Sequence, residues 1–120
     1  MMKKIDPKKK IILDADVIIH FSKGGALGQL PSIFSNKMYI PDIVYLESLS
    51  KKYQTEIDNL FNFKLVEELE IVCLTTMDFL AEAYHTGKMK EATCDFFIYT
   101  VKLRGSRLPC NSIAEFLKMD

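Results

Sequence analysis

The sequence predicts an α/β domain with a short, mainly parallel sheet, and three observations lead there. The segment "KIIL", residues 10–13, is apolar without polar alternation, as expected of a strand buried on both faces. A second apolar run, Met38–Ile40, ends at Pro41, and a third, "EIVCLTT", covers residues 70–76. Stretches of helical period separate these runs, and strands alternating with helices favour a parallel sheet flanked by helices.

The elements follow in order. After the first strand, Val17, Ile18, Ile19 and Phe21 form a brief helical or turn segment that stops at "KGG", where glycine permits left-handed backbone. Leu27, Leu30 and Phe34 recur at helical spacing, and Pro31 is expected to kink or divide that helix. Pro41 and Asp42 punctuate the end of the second strand, with Asp42 as the cap of a helix that carries Glu47 in its first two turns. "TEIDNLFNF" sets Ile57, Leu60 and Phe61 at helical spacing, and a helix is expected around "VEELE" before the third strand.

Thr76 is the expected N-cap of "MDFLAEAYHT", which ends at Gly87. "EATCDFFIYTVKLRG" reads as a further helix, with Phe96, Phe97 and Tyr99 assigned to core and helix packing. Lys102 and Arg104 at its end suit the helix dipole. Ser112 and Glu115 form a capping-box pattern that opens the last helix. About three strands emerge, fewer than the roughly 4 to 6 of a typical sheet.

Composition bounds the function. A chain of 120 residues with 48% apolar and 27% charged residues suits one globular domain, residues 1–120. Sixteen basic and sixteen acidic side chains cancel, so net charge argues for neither a nucleic-acid nor a membrane partner. The basic start "MMKKIDPKKK", residues 1–10, reads as a solvated arm, with phosphate-backbone contact as the alternative. Cys73, Cys94 and Cys110 are widely spaced, without a CxxC pair, which points to reduced thiols and a cytoplasmic location. The apolar stretch after the lysines is cut by Asp14 and Asp16, so neither a signal peptide nor a membrane span is expected.

The two acids in "IILDADVIIH" carry the chemistry. In open α/β sheets ligands bind beyond the carboxyl ends of strands, where Asp14 falls, and Glu47 is expected at the same end. Hard cations such as Mg²⁺ take oxygen ligands, one or two carboxylates among them. The structural alternative is that Asp14 or Asp16 caps the following helix, while Glu47 is solvated and Asp78 complements a helix dipole. His20 and His85 have no partner at metal spacing and read as ordinary residues.

The pair "IILDADVIIHF" and "YIPDIVYLESL" resembles the PIN-domain family of metal-dependent ribonucleases, in the variety found in short bacterial proteins. The resemblance implies an α/β/α sandwich, a pocket holding Mg²⁺ or Mn²⁺, and RNA hydrolysis by metal-activated water. Asp14 and Glu47 match the family's first two motif acids, so the resemblance implies catalytic and metal-ligating roles for both. Asp16 stands as a cap or outer group of the metal site. An antitoxin-like protein and a second copy of the chain are the implied partners. The family's third acid on a central helix and fourth acid after the next strand have no counterpart. Set against the family pattern, the resemblance implies that a helix and a strand are left out between about Glu70 and Ile71. The expectation is therefore a shortened PIN-like domain with weak or absent ribonuclease activity, or a non-catalytic module that binds a protein or RNA. Asp78 and Asp95 are the nearest substitutes for the absent acids.

Overall fold

The computed structural model describes Asp6 and residues 8–60, 64–66 and 74–119. Its parallel sheet has the order β1 (Ile11–Ile12), β2 (Met38–Pro41), β3 (Lys64–Val66). Ile11 pairs with Met38 and Tyr39 with Lys64. The N–H groups of Ile11 and Leu13 donate to Lys37 and Tyr39 carbonyls at 3.0 and 2.8 Å, which carries the pairing to the residue before Asp14. Ile11, Ile12 and Leu13 are all buried, as the unbroken apolar run predicts.

Strand β3 departs from expectation. Val66 is extended where a helix around "VEELE" was expected, and Leu65 pairs with Ile40. A run of three residues cannot display helical period, and pairing with an apolar neighbour decides its state. The remainder of that helix, Phe61, and residues 71–73 of the expected third strand, with Cys73, lie outside the described residues.

Helix α1 (Ala15–Lys23) buries Val17, Ile18 and Phe21 and ends at Gly24, after which Gly25 takes φ 71°. Pro31 does divide its segment, into a 3₁₀ turn at Leu27–Gln29 and the short α2 (Leu30–Ile33). In the segment after β2, Asp42 Oδ1 accepts from the Ile43 N–H at 2.7 Å, but the expected Asp42 cap is not formed: Ile43 holds the cap position of the turn that follows, without a side-chain cap bond. The segment then widens into a π-helical turn, Val44–Ser48, instead of an α-helix. Gln54 of α3 (Lys51–Leu60) stabilises that turn: its Nε2 donates to the Tyr45 and Leu49 carbonyls at 2.6 and 3.2 Å, satisfying groups that an α-ladder would have used.

Helices α4 (Thr76–His85) and α5 (Glu91–Leu103) pack on α1, and α6 (Ile113–Leu117) packs on α4 and α5. An aromatic cluster joins α1, α4 and α5: Phe21 lies 6.0 Å from Phe79 and 4.8 Å from Phe97, and Phe79 lies 5.4 Å from Phe34, ring centre to ring centre. The cap of α4 is Thr75, not Thr76. Its Oγ1 accepts from the Asp78 N–H, and Asp78 Oδ2 accepts from the Thr75 N–H, a reciprocal box that frees Thr76 for another contact. Ser112 caps α6, although Glu115 reaches back to the Asn111 N–H. The described end of the basic arm is tied down, because Asn36 Nδ2 donates to the carbonyls of Asp6 and Lys9 at 2.9 and 2.8 Å.

Cys94 and Cys110 are free and buried, as expected of reduced thiols. Phe97 is core, but Phe96 and Tyr99 are exposed, contrary to their assignment to packing. Among the described residues, no helix is long and apolar enough to cross a membrane.

Candidate functional site

The site begins where β1 ends. Asp14 is the N-cap of α1: its backbone is extended, its carbonyl accepts from the Ile18 N–H, and its Oδ1 accepts from the Ala15 N–H at 2.7 Å. Asp16, the alternative cap, sits instead within the first turn, where its charge favours the helix dipole. Both carboxylates are exposed.

A cavity of about 370 Å³ opens beside them. Asp14, Asp16 and His20 come from α1 and its cap, and Thr75 and Thr76 from the start of α4. Arg107 lies on the loop before α6, and Phe116 on α6 itself; Leu74, Met77 and Leu108 are among the apolar members. Two helix N-termini therefore meet one cavity, and each has its own carboxylate, Asp14 at α1 and Asp78 at α4.

His20 and Thr76 fasten the two helices, with Nδ1 and Oγ1 2.7 Å apart. Burial pushes the imidazole below its ordinary pKa of 6.5; Asp16 opposes the shift and Lys23 adds to it. The shift favours the neutral ring. Sequence spacing missed its place in the site, because its partner lies 56 residues along the chain. Arg107 and Phe116 were missed for the same reason, since a loop and a terminal helix converge on α1 only in the folded chain.

Glu47 is exposed on the π-helical turn and is not among the residues that line the cavity. Asp78 is occupied by the capping box, and Asp95 Oδ1 accepts from the Ile113 N–H at 2.8 Å, so both substitutes for the absent acids already have structural work. Among the described residues, no group of three or more His, Cys, Asp or Glu side chains is arranged to hold a metal ion. Asp14 and Asp16 suit loose capture of a hydrated divalent cation, in which water supplies most of the coordination sphere. Among the described residues, they are the only carboxylates that line the cavity. The chain matches no protein-family model, no curated protein and no solved structure.

Proposed function

We propose that the chain is a shortened PIN-like domain of the metal-dependent ribonuclease type, with the α/β/α sandwich of that family, whose hydrolytic activity is weak or lost. The observation that supports this reading is that Asp14 follows a buried parallel strand directly and lines a cavity at its carboxyl end. Asp14 and Asp16 are the residues that would hold Mg²⁺ or Mn²⁺, and Glu47 would join only by way of the π-helical turn. A bound cation would neutralise phosphodiester charge. The chain's own residues orient the site: the Ala15 N–H fixes one Asp14 oxygen, and Thr76 fixes the His20 ring. With two exposed carboxylates the metal position is loose, and misplacement by ~1 Å can cost ~100-fold in rate.

The test is cleavage of a mixed-sequence single-stranded RNA in Mn²⁺ by the purified protein and by Asp14→Asn. Slow cleavage, absent in the variant, supports a weakened nuclease. RNA cleavage as fast in Asp14→Asn as in the wild type overturns the site. A second reading is a non-catalytic module that binds a protein or RNA; that Asp14 and Asp16 are the only carboxylates lining the cavity among the described residues supports it. RNA retained on a filter without cleavage, equally by both proteins, supports that reading.

A further inference from the structure

Helix α5 turns Cys94, Phe97, Ile98 and Val101 inward, and this accounts for its core contacts. Its opposite face is also apolar. Phe96, Tyr99 and Leu103 are 66%, 61% and 71% exposed, and with exposed Ala92 they follow one another at intervals of four, three and four residues. That interval is the seam of a helix made to pack on another helix. The Phe96 and Tyr99 rings already lie together, 6.5 Å between centres and 32° between planes, so little ordering remains to be done on contact.

The charges beside the seam identify the occupant. At 100° per residue, Glu91, Asp95 and Lys102 share one flank, acidic toward the start of the helix and basic toward its end. The other flank carries Thr93 and Thr100. When two copies of a helix pack antiparallel, each flank meets the same flank of its partner in reverse order. Centring the seam then sets Ala92 against the partner's Leu103 and Phe96 against the partner's Tyr99. In that register Lys102 falls between Glu91 and Asp95 of the partner subunit, twice over by symmetry. A parallel pair would set this flank against the threonine flank and leave the charges unmatched.

We propose that α5 is the face of a two-fold symmetric homodimer, packed antiparallel on a second copy of itself through Phe96, Tyr99 and Leu103. Such an isologous patch closes on itself and does not propagate. It lies apart from the acidic cavity, to which α5 contributes no residue. Lys102 also donates to Asn111 Oδ1, but an ammonium has three donors, and Asp95 has a second oxygen beyond the one given to Ile113.

The test is sedimentation of the full chain over roughly 5–500 µM. A concentration-dependent dimer is expected, abolished by Phe96→Glu or Tyr99→Glu. Both substitutions fall at exposed positions, so an unchanged thermal melt at low concentration checks that the fold is kept. Lys102→Glu should weaken the dimer about tenfold, because two symmetric charge pairs become repulsive. Mixing the Lys102→Glu chain with a Glu91→Lys chain should restore part of that loss. A wild-type chain that stays monomeric throughout overturns the proposal, as does a dimer indifferent to Phe96→Glu. A dimer lost with Phe96→Glu but unaffected by Lys102→Glu overturns the antiparallel arrangement.

Discussion

His20 Nδ1 lies 2.7 Å from Thr76 Oγ1, a side-chain hydrogen bond between the helix that follows β1 and a helix that lines the same cavity. It ties the middle of α1 to the first residue of α4, beside the cavity that both helices line. It also depends on the protonation state of a half-buried imidazole.

Stability should therefore fall on mild acidification. Burial, opposed by Asp16 and assisted by Lys23, lowers the folded pKa of His20 below 6.5, so the unfolded chain binds the proton at higher pH than the folded one. The His20 contribution is complete above pH 6.5 and is lost as the pH falls through the lowered folded value. Urea midpoints compared at pH 7.5 and at roughly pH 5.5, above the carboxylate range, isolate this window. The wild type should lose more stability than His20→Gln between those two conditions. An equal loss in both proteins would remove His20 as the cause.

Gly24 should resist enlargement. A Cβ at this position would stand 2.4 Å from two atoms of the Phe97 ring, and that ring is held against Phe21. The backbone at Gly24 is ordinary, φ −80°, so any cost comes from the collision and not from strain. Gly24→Ala should destabilise by about 1–3 kcal/mol, read from denaturant unfolding. Gly28→Ala, with open space around its Cβ, is the matched control.

Cys94 should be inert in the native protein. Burial first, then the charge of Asp95, pushes its thiol up to about 11, against a weaker opposing backbone hydrogen bond and with Glu91 adding to the rise. Alkylation at pH 8, followed by peptide mapping, should leave Cys94 unmodified in the folded chain and modify it promptly in urea. Fast native labelling at Cys94 would contradict its burial.

The parts legible in the sequence were those set by local chemistry. The β1 run, the glycine stop of α1, the division at Pro31 and the Ser112 cap each depend on a few neighbouring residues. The caps slipped by small steps for a physical reason. Asp14 and Asp16, like Thr75 and Thr76, are chemically equivalent as caps, and only the backbone turn selects one of each pair. Strand β3 and the π-helical turn escaped because each is fixed by a distant partner, Ile40 in one case and Gln54 in the other. The exposed rings of α5 escaped because aromatic spacing states which residues share a face, not which face looks inward. For the site, Asp14 was legible from its position after an apolar strand. His20, Arg107 and Phe116 reach the same cavity from segments that no spacing rule connects.

The central claim is that the acidic end of β1 retains a loose cation site. It is tested most directly by thermal unfolding in rising Mn²⁺, with the wild type beside Asp14→Asn. Asparagine caps a helix as well as aspartate does, so this variant removes charge while keeping the acceptor that Asp14 offers to Ala15. At ten times the dissociation constant a native-state ligand stabilises by about 1.4 kcal/mol, a rise of roughly 3–8 °C in melting temperature for a domain of this size. The account predicts that shift in the wild type only at millimolar Mn²⁺, and its loss in Asp14→Asn. No shift in the wild type, or an equal shift in both proteins, would contradict it.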